Sequence, residues 1–212
     1  MQSPRPHPPQ QRMIVYVDGF NLYHGMKSQF GRATLWLDLV ALSQSFRPHQ
    51  RLVAVKYFTA PVLDNPEGQS RQAHYQRALE SLYPGVVHIV NGRYQSRSVR
   101  CIQCGHEYTR YEEKETDVNI ATAVVSDAAL NLMDTAIIVS ADSDLAPAVR
   151  AARSIRSTLF ITAAFPPRRS SAELKNLMPA SFRIGRNKIV QSQLPDQFEA
   201  DGQVHERPDY WR

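Results

Sequence analysis

A chain of 212 residues, 42% hydrophobic and 21% charged, has the balance of a folded domain with a well-covered core, which argues against a disordered or fibrous chain. No apolar run approaches the roughly 20 residues that span a bilayer, the N-terminus lacks the apolar stretch of a secretory signal, and two cysteines cannot frame a disulfide-stapled scaffold. The expected compartment is the cytosol, with no membrane partner, and the formal charge of +5 admits a polyanionic partner without requiring one.

Residues 1–12, with Pro4, Pro6, Pro8 and Pro9, read as a disordered leader. Met13 to Val17 reads as the first strand, ending in Asp18-Gly19-Phe20-Asn21, where Gly19 permits a tight turn and Asn21 caps a helix starting near Leu22. A second helix is expected around Trp36–Phe46, a strand at Arg51–Thr59, an amphipathic helix from Gln69 to Tyr83 and a strand at Val86–Val90. Asn91 to Glu115 is polar, basic and aromatic, an excursion outside the sheet. Thr116–Met133 reads as a helix, Ala136–Ser140 as a strand, Asp144–Arg156 as the next helix and Thr158–Thr162 as a further strand. Ser170–Leu177 reads as a short helix and Phe182–Val190 as an edge strand. From Gln193 the chain is expected to be a polar tail, with Trp211 a tail residue and Trp36 a core or surface aromatic. Strands alternating with helices predict a three-layer α/β/α domain over residues 13–190, with a central, mainly parallel sheet, an insertion at about 91–115 and a tail at 191–212.

The chemistry gathers where strands end. In DTAIIVSADSDLAP, from Asp134 to Pro147, the apolar strand is followed by Asp142-Ser143-Asp144 and then by a helix with Pro147 in its first turn. In parallel sheets ligands sit beyond the carboxyl ends of the strands, so the acids there are solvated caps or cation ligands. Asp18 holds the equivalent place after the first strand. On the helix from Thr116, the apolar Ile120, Ala121, Val124, Val125, Ala128 and Leu132 share a face with Asp117, which puts that carboxylate over the core instead of away from it. Its alternative role is a favourable first-turn charge; Asp127, at the flank of the face, reads as a boundary residue. Asp18, Asp117, Asp142 and Asp144 meeting at one sheet edge need a cation to offset their repulsion, and hard oxygen donors favour Mg²⁺ or Mn²⁺. Ser140 and Ser143 stand close enough to assist.

Two segments are basic: Arg93, Arg97, Arg100 and Arg110 with Tyr94 and Tyr108, and the stretch opening on Arg168 and Arg169. Beside an acidic pocket they suit single-stranded RNA, held by charge and stacking; solvated surface charge is the alternative. Cys101-Ile102-Gln103-Cys104 has the spacing of half a zinc ribbon. Three readings stay open: a Zn²⁺ site completed by His106, another histidine or a second chain, which would make a homodimer; a remnant without metal; or a redox pair.

VDGFN at 17–21, EKETDVNIA at 113–121 and VSADSDLAPAV at 139–149 resemble the three acidic motifs of the NYN domain, in its LabA-like branch, within the PIN-like nuclease superfamily. The resemblance spans most of residues 13–190, with Ala141 where the family often has Gly. It implies a three-layer fold, a Mg²⁺-dependent ribonuclease site built from Asp18, Asp117, Asp142 and Asp144 with Asn21 beside it, and a CxxC-bearing insertion. Two other functions remain: an RNA-binding or regulatory module that does not cleave, and a phosphatase of the haloacid dehalogenase type, disfavoured because strand one ends in Asp18-Gly19-Phe20 instead of Asp-x-Asp.

Overall fold

A computed structural model describes residues 10–212, apart from the side chains of Arg110 and Glu112. Most of the expected leader therefore lies outside the described residues. The central sheet has six parallel strands: β1 (Arg12–Asp18), β2 (Arg51–Thr59), β3 (Val87–Asn91), then, after a hairpin of β4 (Arg93–Arg100) and β5 (Glu107–Lys114), β6 (Thr135–Val139), β7 (Phe160–Phe165) and the short β8 (Phe182–Arg183). Their spatial order is β3-β2-β1-β6-β7-β8, while the hairpin forms a two-stranded sheet of its own. Because β1 pairs with β2 on one side and β6 on the other, the order reverses there, leaving a crevice at the carboxyl ends of β1 and β6.

Both faces of the sheet are covered, which explains why its strands are apolar at successive positions. Met13, Val15 and Val17 of β1, with Ile137 and Val139 of β6, pack under α1 (Gly19–Phe30), α2 (Leu39–Phe46) and α3 (Pro66–Leu82). Ile14 and Tyr16, with Ala136 and Ile138, pack under α4 (Thr116–Ala129), α5 (Ala146–Ile155) and α6 (Ala172–Leu177). The expected three-layer α/β arrangement is thus present. Among the described residues no helix is long and apolar enough to cross a membrane.

Three expectations need correction. Only Phe182–Arg183 of the expected edge strand is extended; Arg186–Gln191 is a helix, α7, which packs on α2, with the Lys188 ammonium donating to the Ser45 carbonyl at 2.6 Å. Its buried residues Ile184 and Ile189 are five apart, an odd spacing that the alternation of a half-buried strand cannot place on one face. The segment expected to be a polar tail folds as an antiparallel hairpin, β9 (Gln197–Ala200) and β10 (Gln203–Glu206), with Asp201 and Gly202 both at positive φ in its turn. Trp211 then buries itself 6.2 Å from the Trp36 ring, completing the cluster with Tyr75 and Phe198. Its few apolar residues are spread among polar ones, so the segment reads as solvated although each packs.

Candidate active site

Asp18 ends β1 and is the N-cap of α1. Its Oδ1 accepts the Asn21 backbone N–H at 2.9 Å, and its Oδ2 accepts the Asn21 side-chain amide at 2.7 Å. The cap is therefore Asp18, not Asn21, because the helix starts three residues earlier than the sequence suggests; Asn21 positions the acid. Gly19 is needed for close approach: a Cβ there would lie 2.7 Å from the Phe58 carbonyl oxygen and 2.9 Å from the Tyr57 ring. The Ser140 hydroxyl, fully buried at the end of β6, donates to Asp18 Oδ2 at 2.8 Å and accepts the Asp142 N–H at 3.1 Å. One serine thus ties the ends of β1 and β6 together. Asp142 Oδ1 accepts the Asp144 N–H at 2.9 Å and caps the 3₁₀ turn that leads into α5.

Asp117 joins from the first turn of α4. Its carboxyl is pushed up to about 6, first by burial and then by the negative charges of Asp142, Asp18, Glu113 and Asp144. Burial likewise raises Asp18, with Asp142 adding to it, although the bonds from Asn21 and Ser140 pull the other way. Asp18, Asp142 and Asp144 are therefore each within electrostatic reach of Asp117. Glu113 is a fifth acid, to which the motif spacing alone does not point. It accepts the Thr116 hydroxyl and, at 3.2 Å, the Thr116 N–H, which turns it toward the start of α4. A Glu three residues before the first residue of a helix is its only local sign. Asp127, expected at the boundary, is buried, with the Tyr16 hydroxyl at 2.6 Å and the Lys56 ammonium at 2.8 Å; it is a structural ion pair under the sheet.

The groups acting on Asp117 are burial and four carboxylates, a deficit of positive charge that a divalent cation would remove. Hard oxygen donors suit Mg²⁺ or Mn²⁺. Among the described residues, however, no group of three or more His, Cys, Asp or Glu side chains is gathered so as to hold an ion. The donor chemistry fits a cation, on which the side chains would have to close.

The basic residues divide into two groups. Arg168 and Arg169 are exposed on the loop after β7, on the same edge of the sheet as the acids; Arg168 donates to the Ser28 carbonyl at 3.4 Å, and Arg169 with Lys27 adds to the burial that lowers His24 on α1. The hairpin leaves the sheet through Gly92, whose N–H donates to Thr59 O at 2.7 Å, and returns directly into α4. Strand alternation puts Arg93, Arg97 and Tyr108 on one of its faces and Tyr94 and Arg100 on the other, so they do not form one surface. Arg93 is paired with Glu115.

On the opposite side of β1 and β2 from the acids lies a mainly apolar cavity of about 300 Å³, walled by Tyr23, Tyr57, Tyr75 and Trp211 and reaching Gly19 and Phe20. Tyr210 at its mouth is stacked between the Arg32 and Arg71 guanidinium groups, 4.0 and 4.1 Å from its ring centre.

Residues 12–183 match the model of the NYN domain. The chain is 28% identical over 176 residues to a Pseudomonas putida protein named 6-hydroxy-3-succinoylpyridine 3-monooxygenase, with 68% of this chain and 56% of that protein covered. It thus spans little more than half the length of that relative. A crystal structure of a protein of unknown function from Vibrio parahaemolyticus superposes with a TM-score of 0.57 at 19% identity, covering 88% of this chain and 98% of that one, a likeness of fold.

Proposed function

The chain belongs to the NYN domain family, and from that premise we propose that it is a divalent-metal-dependent ribonuclease of the LabA-like branch, working in the cytosol on single-stranded or structured RNA. What supports this reading is that Asp18, Asp142, Asp144 and Glu113 all act electrostatically on half-buried Asp117 beside the topological switch point, an accumulation of negative charge that a divalent cation would offset. Asp18 and Asp142 would hold Mg²⁺ or Mn²⁺, with Asp144 and Asp117 completing the set. The ion supplies positive charge at a phosphoryl oxygen and acidifies bound water. Asn21 and Ser140 keep the Asp18 carboxylate aimed into the crevice. Arg168 and Arg169 on the loop after β7, with the exposed Arg97 and Tyr108 of the hairpin, offer charge and a stacking surface to the RNA strand on either side.

A second reading is favoured by the aromatic cavity, whose size is at the lower end for small-molecule sites, together with the name of the Pseudomonas relative: a pocket for a small aromatic acid. One experiment separates the two. Labelled RNA and DNA are incubated with the purified chain in Mg²⁺, and 6-hydroxy-3-succinoylpyridine is titrated while tryptophan fluorescence is followed. Cleavage of RNA that stops in EDTA and falls at least about 100-fold in Asp142→Asn supports the first reading. No cleavage, with saturable quenching by the pyridine, replaces it with the second.

A further inference from the structure

The turn of the β4–β5 hairpin has no part in the acidic crevice, yet it is built in detail. The Cys101 N–H donates to the His106 carbonyl at 2.8 Å, the Gly105 N–H returns to the Cys101 carbonyl at 2.9 Å, and Gly105 takes a positive φ of 72°. This curl brings the backbone N–H groups of Cys104 and Gln103 onto the Cys101 thiol, where the Cys104 thiol also reaches it. N–H groups aimed at sulfur favour the thiolate, the form that binds metal. Both cysteines are free.

Two thiolates are half of a tetrahedral Zn²⁺ shell. Among the described residues no third His, Cys, Asp or Glu stands with them to make a group that holds a metal, which leaves two positions of the shell for a second copy to fill. Two further observations point to what supplies them. Ile102, between the cysteines, is fully exposed, an apolar side chain placed at the end of a hairpin. Arg100 donates through Nε to the Gly105 carbonyl at 3.3 Å, which holds its guanidinium beside the turn.

We propose that one Zn²⁺ joins two copies of this chain turn to turn, bound by Cys101 and Cys104 of each. Four thiols give up their protons to form a tetrathiolate of net charge −2, and the two Arg100 side chains bring +2 beside it. The two Ile102 side chains meet across the twofold axis, an isologous contact in which each copy offers the same surface. Among its described residues a single copy offers neither a full shell nor cover for Ile102. This site is independent of the nuclease reading.

The test uses the full chain, stripped with chelator and then titrated with Zn²⁺ alone, under reducing conditions. Mass is read by light scattering on a sizing column, bound metal by elemental analysis, and free thiols by a chromogenic reagent. The expected result is a doubling of mass at one zinc per two chains, protection of all four thiols, and return to the monomer mass on chelation. Cys104→Ser, at an exposed position that leaves the fold intact, is expected to lose both zinc and the doubling, while His106→Ala keeps both. One zinc per chain without a mass change, loss of zinc in His106→Ala, a dimer that survives chelation, or no zinc uptake would each overturn the proposal.

Discussion

Asp117 is the residue whose titration reports most directly on the crevice. Its carboxyl stands at about 6 in the folded chain against 3.8 ordinarily, raised by burial and by four neighbouring acids. The folded state therefore prefers the protonated form: the favourable contribution is complete below the ordinary value and is lost as pH rises through 6. In the metal-free protein Asp117→Asn is expected to raise the melting temperature at pH 8, by about 2–4 °C for each kcal/mol relieved, with half-exposure keeping the relief to about 1 kcal/mol or less. That gain disappears toward pH 4. In saturating Mg²⁺ the sign reverses in favour of wild type, and the rise in melting temperature produced by Mg²⁺ fades as pH falls through 6. Melting scans between pH 4 and 8, with and without the ion, check all three; a Mg²⁺ effect independent of pH would remove Asp117 from the ligand set. Asp18 and Asp142 were legible in the sequence because each follows an apolar strand. Glu113 and the bridging role of Ser140 were not, since both depend on how a hairpin and a loop return through space.

Among elements, α1 and β2 leave no room for a side chain at Gly19, where a Cβ would meet the Phe58 carbonyl and the Tyr57 ring. Gly19→Ala must move a strand end or a helix start, and is expected to cost about 1–3 kcal/mol in unfolding free energy. The same movement shifts Asp18, so the proposed RNA hydrolysis is expected to fall more than stability alone accounts for; denaturant unfolding beside an activity assay separates the two, and unchanged hydrolysis would show that the crevice tolerates a displaced helix. Helices and strands with a long apolar period could be read from the chain. The last third was harder. α7 lacks a repeating face, and the Asp201-Gly202 turn was the single local sign of the β9–β10 hairpin, flanked by too few apolar residues to read as strands. On α4 the buried line runs through Ile120, Val124, Asp127 and Ala128, rotated from the expected face so that Asp127 lies inside, because Lys56 and Tyr16 of neighbouring strands compensate its charge.

At the scale of the molecule, the parallel three-layer class followed from alternating elements, but the strand order did not. Nothing local in Met13–Val17 says that its partners are Arg51–Thr59 and Thr135–Val139, and only that order puts Asp18 beside Asp142. The register Met13↔Thr135 has a kinetic consequence. Until β6 docks, β1 presents an open edge of unpaired amides, and closing so large a loop is slow. Refolding from denaturant is therefore expected on the scale of milliseconds to seconds or slower, with losses to aggregation that grow with protein concentration. Stopped-flow refolding followed through the Trp36–Trp211 cluster measures the rate, and a microsecond phase that recovers the whole signal would contradict it. The crevice at the ends of β1 and β6 is thus a late product of folding, and a nascent chain stalled before β6 carries Asp18, Glu113 and Asp117 but not yet Asp142 and Asp144.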